Sequence, residues 1–402
     1  MYINRFLEKD LRKYLGKREI IAVVGARQCG KTTLLRHIFK DLKNALFLDF
    51  EDREALELFE QDIKSFTELY VKPYAYLFID EFQYAKNGGK NLKYIYDHYK
   101  TKIVISGSSV SGLSIHSIQY LVGRIIVFNL YPFSFEEYLS YKEPMLYQNI
   151  YAKKIKLTMP AIEKIMPHFN EFCIFGGYPR VVLSKDKNEK ETILKNIYNT
   201  YFLKEIREIL NLPDDYRLSK LISALALQVG GIINYNELSG ISGFKYRDLL
   251  NHINILEKTF ICIRSQPFYA NKRTELVKAP KIFFLDNGFR NTVIKNFQPP
   301  KERTDKGALY ENFTSSEIAK KGFEVKYWRT KSKAEMDFVI EKKGHITPIE
   351  VKSDLKSPKL TKSFYSFMDA YKPKRGIVLS ERIFTEKNNV KFRPIFSVGK
   401  EI

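Results

Sequence analysis

The sequence predicts an α/β protein: a parallel sheet covered by helices, then a helical lid, a winged-helix module and a small second α/β domain. Three observations predict it. Short β-branched apolar runs alternate with helical patterns over the first third of the chain. A glycine-rich turn joins the first of these runs to a helix. Near the C-terminus two apolar runs carry carboxylates and are split by a polar turn, in "EMDFVIEKKGHITPIEVKSD" from Glu335 to Asp354.

In chain order, Met1 to about Gly16 has the pattern of an amphipathic helix. "EIIAVVG" reads as a buried strand ending in glycine, and "KTTLLRHIFKDL" as the helix after it. "ALFLDF", "YAYLFID", "KIVISGS" and "RIIVFNL" supply four more strands. Apolar strands separated by helices imply a parallel sheet buried on both faces. After Tyr131 the texture changes: Pro132 breaks the last strand, and helical segments run to about Leu210, interrupted by "FGGYPR". From Tyr216 to about Pro267 the order is helix, short helix, longer helix, strand, which is that of a winged helix-turn-helix, with Asn234 or Asn236 available to cap the middle helix. The last segment reads as helix, three strands, helix, strand. The expected domains are 1–135 for the first sheet, 136–212 for the lid or adaptor, 213–270 for the winged helix and 278–402 for the last α/β domain.

The chain has 402 residues, 44% hydrophobic and 28% charged, the composition of a globular protein with room for two or three cores. A net charge of +21 favours polyanions, so nucleic acid is the expected partner, DNA ahead of RNA. The three cysteines, Cys29, Cys173 and Cys262, have neither the spacing of a zinc site nor the density of a disulfide framework. The N-terminus lacks an apolar signal region, and no apolar run is long enough for a membrane span; the expectation is a cytoplasmic protein with no membrane partner.

"GARQCGKT" satisfies the phosphate-loop pattern GxxxxGK[ST] between a strand and a helix. Its residues, Gly25, Ala26, Arg27, Gln28, Cys29, Gly30, Lys31 and Thr32, with Thr33 next, are the candidate nucleotide-binding set. Backbone N–H groups and the helix N-terminus would cradle phosphates. Lys31 would reach the β- and γ-phosphates, and the Thr32 hydroxyl would hold Mg²⁺. "YLFIDE" places Asp80 at a strand end, where it would support Mg²⁺, and Glu81 beside it as the group that orients or activates water. Ser106 and Ser108 end the next strand; a polar side chain there would sense the γ-phosphate, and a turn of small residues explains them equally well. Arg124 would serve as an arginine finger, in its own chain or in another copy of a homo-oligomer, or bind a neighbouring loop.

These residues resemble the AAA-type P-loop ATPases, in the prokaryotic group whose loop reads GxRQxGKT. The resemblance continues through "GSS", the "GR" before the fourth strand, "YPFSFEEY" and "GGYP", and into "WRTKSKAEMDFVI…PIEVK". It implies ATP and Mg²⁺ as cofactors and ATP hydrolysis as the activity. Alkylation of Cys29 would be expected to block phosphate binding.

In the last domain, alternation puts Glu350 and Lys352 on one face of their strand, and a hairpin would bring Asp337 beside them. Glu-x-Lys also occurs at Glu324–Lys326 and Glu341–Lys343, so only placement distinguishes Glu350–Lys352. Glu311 on the preceding helix would add a group, and Glu335 shares the strand face of Asp337. The layout resembles the PD-(D/E)xK nuclease-like fold. That resemblance implies a second Mg²⁺ or Mn²⁺ held by Asp337 and Glu350 with Glu311 as auxiliary, and Lys352 acting on water. In the winged helix, Lys245, Arg247 and His252 are expected on the exposed side of the recognition helix and Leu249, Leu250, Ile253 and Leu256 in its core.

The expected function is Mg²⁺-dependent ATP hydrolysis coupled to DNA binding or processing. Two alternatives stand beside it: a slow nucleotide-controlled switch whose C-terminal domains bind protein, and an ATP-gated metal-dependent nuclease.

Overall fold

Strand β1 (Ile20–Val24) is a continuous apolar run buried along its whole length, as a strand is when both sheet faces are covered. The computed structural model describes residues 2–108, 119–152, 157–271, 273, 275 and 278–402. Ser109 of the "GSS" motif lies outside the described residues. Five strands, β1, β2 (Ala45–Asp49), β3 (Tyr76–Asp80), β4 (Lys102–Gly107) and β5 (Ile125–Asn129), form a sheet of order β2-β3-β4-β1-β5. Every pair in it is parallel. The edge strands β2 and β5 are only partly buried, as their positions require.

Alternation sorts the side chains. Ile20, Ala22, Val24, Leu77 and Ile79 face one core with Phe59, Phe66, Leu92 and Ile95 from helices α3 (Arg53–Gln61), α4 (Ile63–Tyr70) and α5 (Gly88–His98). Ile21, Val23, Phe78 and Val104 face the other, with Leu11 of α1 (Leu7–Leu15) and Leu34, Leu35 and Ile38 of α2 (Lys31–Phe39). Because all strands run one way, the loops after β1, β3 and β4 gather at one sheet edge, the usual place for a ligand in such folds. These elements make a first compact unit, Met1–Pro132 with Lys258–Phe260.

The second unit holds Phe133–Glu257 and Ile261–Ile402, and so takes in the expected lid, winged-helix and last α/β segments together. It opens with α6 (Phe135–Lys142), started by a capping box between Ser134 and Glu137. Helix α7 (Met159–Phe175) ends in the glycines of "FGGYPR". Gly176 has φ 71°, and a Cβ on Gly177 would lie 2.2 Å from the Phe133 carbonyl oxygen. The buried Asp286 carboxylate accepts the Gly177 N–H at 2.7 Å, so this motif is a packing device.

Helices α8 (Tyr216–Leu227), α9 (Tyr235–Ser242) and α10 (Tyr246–Lys258) follow in the expected order, and Asn234 caps α9 by accepting the Glu237 N–H. Two expectations for α10 are corrected. His252 is buried, edge-on to Phe244, and Leu250 is exposed. The apolar stripe is rotated because Phe244, just before the helix, brings a bulky ring that His252 covers.

Strand β6 (Cys262–Pro267) pairs antiparallel with β7 (Lys281–Phe284) and parallel with β8 (Lys326–Arg329). It therefore belongs to an eight-stranded sheet of order β12-β13-β11-β10-β9-β8-β6-β7. Helix α11 (Asn287–Val293) and then α12 (Lys306–Lys320) precede β8. Strands β9 (Glu335–Lys342) and β10 (His345–Lys352) form a hairpin, α13 (Lys362–Tyr371) follows, and β11 (Gly376–Ser380) returns parallel to β10. The sheet is completed by β12 (Thr385–Lys387) and β13 (Val390–Pro394). The expected run of helix, three strands, helix and strand is thus present.

Candidate active site and a C-terminal carboxylate cluster

The loop after β1 closes tightly. A Cβ on Gly25 would lie 2.1 Å from the Leu130 carbonyl oxygen, so the absent side chain lets the loop lie against the chain leaving β5. Gly30 (φ 96°) and Gln28 (φ 62°) both adopt the left-handed region, which turns the loop into the first turn of α2. Lys31 is buried and folded back, donating to the carbonyls of Gly25 at 2.9 Å and Ala26 at 3.2 Å. Thr32 is partly buried, while Arg27 and Thr33 are exposed. Cys29 is fully buried beneath the loop, and burial pushes its thiol pKa up. The reactive thiolate is therefore disfavoured and shielded. Arg5, which sequence reasoning missed, donates to the Cys29 carbonyl at 2.9 Å and to the Tyr131 carbonyl at 2.5 Å.

Asp80, at the end of β3, is buried and accepts hydrogen bonds from the Ser106 hydroxyl and, at 3.2 Å, from the Glu81 N–H. Ser106 thus lies against Asp80, at the sheet edge that the phosphate loop also occupies. Glu81 has φ 51°, a left-handed conformation rare outside glycine and costly without a reason. Burial pushes its carboxyl pKa up, partly offset by the hydrogen bond from Gln83 and by the Lys31 charge. Gln83 also accepts the Ser108 N–H at 3.1 Å. The Gln28 Oε1 and Ser108 Oγ atoms are buried with no hydrogen-bond partner among the described residues. Orphaned polar atoms, an ammonium held only by loop carbonyls and a buried carboxylate at one sheet edge fit a phosphate chain with a cation.

Arg124 is a correction. Its carbonyl accepts the Ile20 N–H at the start of β1, and its guanidinium binds Asp97 at 2.9 Å. It therefore sits a strand length, about 15 Å, from the phosphate loop of its own chain. It binds a neighbouring helix, and a finger role within its own chain is excluded.

In the second unit, Glu311, Asp337, Glu350 and Lys352 do come together. The β9–β10 register pairs Ile349 with Phe338, so its next step sets Glu350 opposite Asp337. Asp337 accepts the Val351 N–H at 2.8 Å. Glu350 is buried and accepts from the Thr361 hydroxyl at 2.8 Å and from Lys352 at 3.0 Å. Burial, then the Asp337 charge, push Glu311 up to about 8. Asp337 is raised too, by burial, against the pull of Lys281. Lys281, at the start of β7, was missed; it is buried and paired with Glu335, which also lies 3.6 Å from Arg329. Among the described residues no group of three or more His, Cys, Asp or Glu side chains is placed to hold a metal ion. The residues therefore do not fit the expected second Mg²⁺ or Mn²⁺.

Comparison with known proteins bears on both units. Residues 17–139 match the model of an AAA domain. Residues 166–300 and 306–395 match two domains of unknown function, DUF8612 and DUF4143. An uncharacterized protein of Haemophilus influenzae is 27% identical over 355 residues, spanning 83% of this chain and 82% of its own length. One from Methanocaldococcus jannaschii is 24% identical over 352 residues, with 84% and 75% spanned. Among solved structures, the Walker-type ATPase of Pyrococcus abyssi superposes with a TM-score of 0.47 at 16% identity, covering 73% of this chain and 96% of that one. The match over residues 17–139 supports a P-loop ATPase domain of the AAA type in the first unit. Among the described residues no helix is long and apolar enough to cross a membrane.

Proposed function

We propose that the chain binds ATP with Mg²⁺ and hydrolyses it at the edge of the first sheet. The observation that carries this is the meeting of Lys31, Asp80 and Glu81 beside a loop of the GxxxxGKT pattern. Lys31 would leave the Gly25 and Ala26 carbonyls for the phosphate oxygens. Thr32 and Asp80 would hold Mg²⁺, which supplies charge neutralisation at the phosphates. Glu81, ionised, would accept a proton from the attacking water, and the Gln83 hydrogen bond would hold it in place. ATP turnover measured as phosphate release tests this. It should vanish in Lys31→Ala and Glu81→Gln, and unchanged turnover in either would refute the assignment.

A second reading concerns the C-terminal unit, favoured by the clustering of Asp337, Glu350, Lys352 and Glu311 on the expected element order. We read the sheet from β6 onward, with α12 and α13, as a nuclease-like fold and α8–α10 as the helices of the expected winged helix, whose strand β6 is part of that sheet instead, with the net charge of +21 supporting nucleic acid, DNA first, as what they meet. Lys245 and Arg247, exposed on α10, would contribute phosphate contacts. Turnover stimulated by DNA, and a gel shift at low salt, are the expected results. Turnover indifferent to DNA with no shift would instead favour the slow switch that binds protein.

A further inference from the structure

The C-terminal cluster brings four carboxylates, Glu311, Glu335, Asp337 and Glu350, near three cations, Lys281, Lys352 and Arg329. Nearly every carboxylate is spoken for. Glu335 is paired with Lys281 and lies near Arg329; Glu350 is bound by Lys352 and Thr361; Asp337 accepts a backbone N–H. Lys281 is the unexpected member. Its side chain is only 3% exposed and its ammonium also lies 5.3 Å from the Tyr327 ring centre, so water contributes little to its solvation. Burying an ammonium this deeply costs solvation, which the paired Glu335 carboxylate offsets. Its position is fixed by the fold: β7 pairs with β6, an inner strand of the same sheet, and Lys281 is opposite Ser265.

We infer that Lys281 is the built-in cation of this cluster, held on Glu335 beside Glu311 and Asp337, and that it keeps a divalent metal out. The inference rests on reading these residues as a nuclease-like cluster. It assigns that cluster a state in which lysine does the work of charge balance that a metal does in a hydrolytic site. A metal entering would have to strip Glu350 from Lys352 and tolerate the Lys281 ammonium a few ångströms away. The unit would then hold nucleic acid by its surface charge without cutting it.

The test is Mn²⁺ binding to the full chain without nucleotide, followed by electron paramagnetic resonance of the free ion and by calorimetry. The wild type should take up no Mn²⁺ at this site. Lys281→Met should gain one site, its affinity tightened at least roughly a hundredfold by loss of a neighbouring like charge. Lys281→Met with Asp337→Asn should lose it again. Glu335→Gln, which frees the ammonium without emptying the core position, guards against a Lys281 variant that fails to fold; it should leave the site closed. Wild-type Mn²⁺ uptake that Asp337→Asn abolishes would overturn the role of Lys281 while leaving the nuclease-like reading intact. No uptake in a folded Lys281→Met protein would overturn both.

Discussion

Replacing Gly25 by alanine would set a methyl carbon 2.1 Å from the Leu130 carbonyl oxygen and 3.0 Å from both its carbon and the Cys29 sulfur. That is about 1 Å inside any ordinary contact, and the obstacle is backbone. Leu130 cannot easily retreat, since its N–H is bonded to the Val24 carbonyl at 2.7 Å and the next carbonyl is held by Arg5. The loop must therefore open. Overpacking of this kind costs about 1–3 kcal/mol. If about 2 kcal/mol of it falls on the conformation that receives phosphate, ATP binds roughly 30-fold more weakly. A fluorescent ATP analogue, titrated in the presence of Mg²⁺, measures this directly, with thermal melts alongside to separate binding from folding. Gly25 has no positive φ, so backbone preference contributes nothing to the effect. A Gly25→Ala protein that binds within twofold of wild type and melts at the same temperature would refute the close-approach argument.

Arg124→Ala should keep turnover within about twofold, its guanidinium being bound to Asp97 at the far end of the sheet; a hundredfold loss would mean that it reaches a nucleotide in another copy. Turnover should decline on acidification at a pH above the ordinary glutamate range, because burial raises the Glu81 pKa and only its ionised form accepts a proton; a pH profile flat to the acid limb of free glutamate would contradict this. Asp305 is pushed up by burial, but Arg303 and Arg290 outweigh that and hold it well below the usual carboxylate range. Its stabilisation is present above the unfolded pKa near 4 and fades as pH falls through the depressed value. Asp305→Asn should therefore cost about 2 kcal/mol in urea melts at pH 7 and distinctly less at pH 2, since Arg290 is buried and loses its partner. An equal cost at both pH values would rule the ion pair out as the cause.

The first sheet was legible because each strand is a compact apolar run and the phosphate loop marks where β1 meets α2. The β9–β10 hairpin was legible for a similar reason: its two-residue turn, Lys343 (φ 50°) and Gly344 (φ 76°), has the positive φ values that such hairpins require. Helices α3 and α4 were not delimited, although Asp52 and Asp62 cap them and Ala55, Phe59 and Phe66 form their buried face; acidic residues crowd the segment, so neither cap stands out among them. What escaped at the sites was long-range. Arg5 reaches the loop across 24 residues and Lys281 meets Glu335 across 54, and no local pattern encodes either pairing. Arg124 misled although it precedes its strand, which in a parallel sheet is the edge opposite the phosphate loop.

The place of β6 has a practical consequence for dissecting this protein. Sequence order suggests cutting near residue 270 and expressing the remainder as a free-standing fragment. Such a fragment would begin after β6, and β6 lies between β7 and β8. The cut would remove an interior lamina, strand β7 with its lysine, and leave a raw edge along β8 open to intermolecular pairing. A soluble C-terminal fragment should begin no later than Phe133, where the second unit begins.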